Sequence, residues 1–176
     1  EIALRHPNVT FIVNAMGVPP RHVVDRIHAH GLKVGSLVGT VRHALKQRDL
    51  GVDVIIGQGS EAGGHVGTIS SMVLWPQLVD AIHPVPVLAA GGIMTGRQMA
   101  ACMTLGAAGV WTGSVWLATT ESETSEIFRQ KMIEARSRDT IRSKCRTGKY
   151  SRQLRSAWTE AWEGPDSPGP LPMPFQ

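Results

Sequence analysis

Residues 50–67 read LGVDVIIGQGSEAGGHVG, and the order of residue types along them decides the fold. Gly51 closes a helical pattern, where a left-handed cap favours a residue without a Cβ. Val52, Val54, Ile55 and Ile56 follow at once. They form a short β-branched run with little alternation, as a strand buried on both faces requires. The run then opens into a loop with four glycines in the ten residues 58–67. A tight joint from helix to strand, and a long glycine-rich loop from strand to helix, is the grammar of a βαβ unit.

The same joint recurs on either side, in HGLKV (30–34) and LGAAGV (105–110). Apolar runs at 9–14, 33–38, 52–56, 86–90 and 108–112 are the expected parallel strands. Patterns with apolar residues at three- and four-residue spacing at 20–30, 40–51, 72–82 and 96–105 are the expected crossover helices. Short αβ joints at one end with longer βα loops at the other favour an α/β chain of the TIM (β/α)8 barrel type over a doubly wound sheet. A closed barrel needs eight strands and roughly 250 residues. The 176 residues are therefore expected to hold about the last five strand–helix units, and Glu1 in place of Met points to more chain upstream. On this reading 1–163 form the partial barrel, with 121–162 helical and amphipathic. Residues 164–176, rich in proline, are expected as an extended tail, because proline cannot sustain a helix.

Composition excludes several classes of protein. With 42% hydrophobic residues the chain can bury one sizeable core. No run approaches the roughly 18 to 20 apolar residues of a membrane span, so no membrane partner is expected. Residues 51–120 hold only Asp53, Glu61, Asp80 and Arg97 as formal charges, which suits the inside of a larger fold or the surroundings of a ligand. The net charge of +4 is too diffuse for nucleic acid, and no aromatic residues interleave the arginines. Two cysteines, Cys102 and Cys145, make neither a disulfide framework nor a thiolate metal site, so a cytoplasmic location is the expectation.

Three loops carry chemistry. In the first, His65 stands among Gly63, Gly64 and Gly67, and imidazole supplies a base with an ordinary pKa of about 6.5. The second is GGIMTGR, 91–97, after the 86–90 strand, and the third begins at Gly113 and Ser114 after the 108–112 strand. Adjacent βα loops late in a barrel, each feeding a helix N-terminus, are a phosphate cradle of backbone N–H groups. Together the loops describe one planar, anionic ligand with its phosphate near Gly92 and Gly113.

The phrases QGSEAGGHVG (58–67), PVLAAGGIMTGR (86–97), LGAAGV (105–110) and GSVWLAT (113–119) with Glu121, then Asp139-Thr140 and Gly148 with Arg152, resemble the nitronate monooxygenases, formerly called 2-nitropropane dioxygenases. The resemblance runs from about Val9 to Arg155. It implies an FMN-dependent TIM barrel that oxidises alkyl nitronates with O2 to a carbonyl compound and nitrite. It implies His65 as the catalytic histidine beside the flavin, and Gln58, Gly63 and Gly64 as flavin contacts. Gly91 and Gly92 would hold the phosphate, with Trp111, Thr112, Gly113 and Ser114 as its second half. Ser114 stands where the family usually has Thr, and Trp111 where it usually has a non-aromatic residue. The family's Pro-Met phrase and flavin-holding Asn on its first strands have no counterpart here, so the flavin site is expected to be incomplete within these residues. The FMN-dependent enoyl-acyl-carrier-protein reductases share similar Glu-x-Gly-Gly-His and Ala-Ala-Gly-Gly-Ile phrases and form the alternative. A non-catalytic fragment is the second alternative.

Other residues have plainer expectations. His22, His28, His30 and His43 lack close i, i+4 spacing and paired carboxylates, so they are expected as surface histidines without a metal. Glu61 is expected to be solvated and Cys102 to pack in a core. Trp158 and Trp162 share a helix face at i, i+4. That face either makes the contact of a homodimer or, more commonly, docks a terminal helix on its own domain.

Overall fold

The computed structural model describes residues 2–172 and Phe175. Glu1, Met173, Pro174 and Gln176, the last three from the expected tail, lie outside the described residues. In chain order the elements are β1 (Phe11–Asn14), α1 (Arg21–Ala29), β2 (Lys33–Val38), α2 (Val41–Asp49), β3 (Val54–Gln58), β4 (Gly64–His65), α3 (Ser71–Ile82), β5 (Val87–Ala90), α4 (Gly96–Thr104), β6 (Gly109–Trp111), α5 (Glu126–Glu134), β7 (Thr140–Ser143), β8 (Ser151–Leu154) and α6 (Ala157–Glu163). They fall into two compact units. The first runs to Ser60 and resumes over Thr68–Trp111, and the second comprises Glu61–Gly67 and the residues from Thr112 onward.

The first unit is a five-stranded sheet in the order β1-β2-β3-β5-β6, parallel throughout. Each strand lies beside the one that precedes it in the unit. A doubly wound sheet would reverse its order at a switch point, and no reversal occurs here, so these are five of the eight strands that a (β/α)8 barrel closes. The glycine joints behave as their residue type demands: Gly31, Gly51 and Gly106 take φ of 73°, 86° and 93°. At Gly106 space is short as well, since a Cβ there would stand 2.9 Å from Val79 Cγ1.

Between this sheet and its helices lies the main core. Val24 and Ile27 of α1, Val34 and Val38 of β2, Ala44 of α2, Ile55 of β3 and Leu74, Leu78 and Ile82 of α3 are all buried in it. A second cluster holds Trp75, Ala89, Ile93, Cys102 and Ala107, so Cys102 packs as its apolar helix pattern implies. Burial also pushes its thiol pKa up. Trp75 Nε1 donates to Gly57 O at 2.8 Å, which ties α3 to the last turn of backbone before the β3 loop.

β3 begins and ends two residues later than the apolar run suggests. Asp53 precedes the strand, and its carboxylate accepts from Val34 N at 2.9 Å, Lys33 Nζ at 2.9 Å and His28 Nε2 at 2.8 Å. Burial raises the Asp53 pKa, but the Val34 N–H, Lys33 and His28 outweigh it and hold the carboxyl below its ordinary value. A depressed carboxylate stabilises the fold above the unfolded pKa of about 3.9, and the gain fades as pH falls through the lower folded value. Asp53→Asn is therefore expected to cost about 1–3 kcal/mol near neutral pH. In urea titrations the gap to the unmutated protein should narrow below about pH 4; equal midpoints at pH 7 would remove the role.

The second unit departs from expectation. Residues 121–162 do not form a continuous helical region: α5 and α6 are nine and seven residues long, and a β-hairpin lies between them. β7 and β8 pair antiparallel, Thr140 with Leu154 through Ser143 with Ser151. Gly148, at φ 73°, lies in the turn. Charges at three- and four-residue spacing look helical, yet β-branched Thr140 and Ile141 fit a strand better and a glycine turn interrupts the pattern. Nor does α5 bury an apolar face: none of its residues is buried, and Ile127 and Ile133 are 75% and 62% exposed. β4, too short to read as a strand, adds to the hairpin beside β8. Residues 164–172 contain neither helix nor strand.

Candidate functional site

In the first unit, the last residues of three strands share one row. Gln58 is the register partner of Ala90, and Ala90 of Trp111. Gly59 N donates to Ala90 O at 3.0 Å and Ser60 N to Ile69 O at 2.9 Å, so the β3 loop leaves this row on a fixed course. Next in sequence after Ala90 come Gly91 and Gly92, with φ of 121° and 70°. Side chains rarely adopt such angles, which leaves this backbone bare.

A residue that escaped the sequence reading holds the glycine loop. Gln98 donates from Nε2 to Gly92 O at 2.7 Å and accepts at Oε1 from Met94 N at 2.8 Å and Thr95 N at 3.0 Å. Thr95 completes a capping box at the start of α4. The Thr95-Gly96-Arg97-Gln98 spacing is the known signal for such a box, so this brace was legible locally.

In the second unit, Thr112 Oγ1 accepts from Trp116 Nε1 at 2.9 Å. The helix after β6 is a five-residue 3-10 turn, Ser114–Ala118, and not the α-helix that a phosphate loop usually feeds. A Cβ added at Gly113 meets nothing within 4 Å, whereas one at Gly63 would stand 2.5 Å from Ser114 Oγ. Gly63 and Ser114, 51 positions apart in sequence, are thus neighbours. Gly64 takes φ 79° and pairs with Arg152.

His65 pairs with Ser151 across β4 and β8, and its Nε2 lies 2.7 Å from Thr147 Oγ1. The next residue, Val66, donates its N–H to Tyr150 O at 3.1 Å, and Arg142 Nη1 reaches Gly67 O at 3.3 Å. Arg142 and Lys144 stand over the Tyr150 ring at 4.7 and 4.9 Å. The histidine loop is therefore held along one edge of the hairpin, with its imidazole exposed. Nothing local in the sequence announces Thr147, which is 82 positions away.

Among the described residues, no group of three or more His, Cys, Asp or Glu side chains could hold a metal ion. His28 bonds Asp53 and His30 Nδ1 bonds Arg26 O at 2.8 Å. His22 and His30 are exposed and His43 is partly buried. Glu61 is exposed. No helix among the described residues is long and apolar enough to cross a membrane.

Residues 1–174 match the family model described as nitronate monooxygenase. The chain belongs to the nitronate monooxygenase family. Over its whole length it is 52% identical to a Mycobacterium tuberculosis protein carrying a monooxygenase name, of which it covers 47%. Staphylococcus aureus proteins carrying a nitronate monooxygenase name are 35% identical over 167 residues, 86% of this chain and 47% of theirs. Nitroalkane oxidase from Streptomyces ansochromogenes superposes with a TM-score of 0.82 at 32% identity, over 90% of this chain and 48% of that one. FabK from Thermotoga maritima does so with a TM-score of 0.79 at 31% identity, over 88% and 51%. The chain spans about half the length of the family relatives it matches.

Proposed function

We propose that this chain carries the phosphate loops and the base of an FMN-dependent oxidoreductase that uses O2 to turn alkyl nitronates into a carbonyl compound and nitrite. One observation carries the reading: His65 lies in a glycine loop and is held through Nε2 by Thr147, in a chain of the nitronate monooxygenase family. The residues present fit the cofactor. Gly91 and Gly92 keep a left-handed backbone without side chains, and the space beside Gly113 is open. Gly91, Gly92, Gly113 and Ser114 would hold the phosphate, and Gln58, Gly63, Gly64, Trp111 and Thr112 the rest of FMN. When bound, FMN supplies the electron acceptor that no side chain here provides. His65 hydrogen-bonds the nitro group of a nitronate, or takes the α-proton of a neutral nitroalkane. The partners on this reading are a small nitro compound and O2.

The test is made on the full-length protein. It is expected to copurify with noncovalent FMN, and Gly92→Asp is expected to lose it. Aspartate would meet the phosphate with a like charge and strain a backbone at φ 70°. FAD, absence of flavin, or unchanged flavin in the variant would overturn the assignment. A second reading, FMN-dependent enoyl-acyl-carrier-protein reductase, shares the Glu-x-Gly-Gly-His and Ala-Ala-Gly-Gly-Ile phrases. Rapid flavin bleaching by NAD(P)H would favour it, and bleaching by nitronate alone favours the monooxygenase.

A further inference from the structure

We infer that Thr147 is a positioning residue for His65: its hydroxyl holds Nε2 and leaves Nδ1 as the nitrogen that meets the substrate. The inference rests on the role proposed for His65 and adds a residue from the hairpin turn to it. The 2.7 Å separation between Nε2 and Oγ1 is a full hydrogen bond. Among the described residues, no partner occupies Nδ1.

The turn that presents Thr147 is itself braced. Gly148 N donates to Lys144 O at 2.9 Å, and Cys145 N donates to Ser143 Oγ at 3.0 Å. Ser143 Oγ in turn bonds Glu163 Oε1 at 2.5 Å, while Gln153 Nε2 reaches Cys145 Sγ at 3.2 Å. Ser143 and Cys145 are 1% and 2% exposed. The hydroxyl is thus offered from a buried, hydrogen-bonded frame, while the histidine sits on a two-residue edge strand that lacks one of its own.

Threonine suits the task because its hydroxyl both donates and accepts. When His65 acts as base, Nε2–H donates to Oγ1 and the Nδ1 lone pair takes the α-proton; the imidazolium keeps the same Nε2–H bond. When His65 instead donates from Nδ1–H to a nitro oxygen, Oγ1–H donates to Nε2. One hydroxyl serves both states without moving the ring, as hydrogen-bond partners on the second nitrogen of a histidine do elsewhere. The charged and titratable groups carried by the hairpin are Arg142 on β7, Arg152 on β8 and Lys144, Cys145, Arg146, Lys149 and Tyr150 in the turn, and Glu61 lies in the segment of β4 itself.

The test compares Thr147→Val and Thr147→Ser in the full-length, flavin-loaded protein. Valine keeps the shape and removes the hydroxyl. It is expected to lower kcat/KM for a neutral nitroalkane about tenfold and to move the acid limb of its pH profile to lower pH, with flavin content unchanged. Serine is expected to restore both rate and profile. A Thr147→Val enzyme with the unmutated rate and profile would overturn the inference, as would a serine variant no better than valine. His65→Asn, assayed alongside, separates the two layers. If it abolishes nitroalkane oxidation while Thr147→Val changes nothing, only the positioning role fails; if it too changes nothing, the role of His65 itself fails.

Discussion

His65→Asn in the full-length protein is expected to slow oxidation of neutral nitroalkanes by about 10² to 10⁴-fold, the usual worth of a positioned base. Asparagine is close in size and can still donate to Thr147 Oγ1, but it cannot accept a proton near neutral pH. A preformed nitronate has already lost its α-proton, so its oxidation should suffer far less. Flavin content should stay near normal, because Gly91, Gly92, Gly113 and Ser114 are untouched. The ratio of the two substrate rates is the measurement that decides. An enzyme that oxidises both at the unmutated rate would make His65 an ordinary loop residue.

Gly59→Ala is expected to destabilise the protein by about 3 kcal/mol, at the upper end of ordinary overpacking. The constraint is steric. A Cβ at this position would overlap Ser71 Oγ outright and stand 2.7 Å from Ser71 Cα and 2.8 Å from its N. A side chain can rotate away, but two of these atoms are backbone at the first residue of α3. The strain can be relieved only by parting α3 from the end of β3. That parting would disturb the Gly59 N to Ala90 O bond and the register that aligns Gln58 with Ala90. Urea unfolding and soluble yield of the variant are the measurements, and an unchanged midpoint would show that the two elements separate freely. Gly113→Ala is the control. No atom lies within 4 Å of the Cβ it would add, so its stability should change little.

Strands, joints and glycine loops were legible because each depends on neighbours in sequence. Gly51 after a helical pattern and before Val54, Ile55 and Ile56 specifies a left-handed cap and a buried strand within ten residues, and the structure has both. The parallel order β1-β2-β3-β5-β6 follows once successive βα units are laid side by side. His65, Gly91, Gly92 and Ser114 were singled out by residue type and by their place after a strand. The Thr95 to Gln98 brace could have been read the same way, since both partners fall within one turn of helix.

What the residues by themselves determined is therefore the run of strand–helix units, the glycine loops at their ends and the family that these phrases mark. Only the tertiary structure decided what the stretch after Glu121 does and what His65 touches. Thr140, Ile141 and the residues after Gly148 become strands because they pair with each other and with Gly64 and His65. Two of its pairs, Gly64 with Arg152 and His65 with Ser151, come from a segment more than 80 residues earlier in the chain. Spacing within a short window carries no trace of such a partner, and weak local preferences yield to whichever long-range pairing satisfies the backbone and buries Ser143 and Cys145. The imidazole was visible in the sequence; the hydroxyl that holds it is a product of the fold.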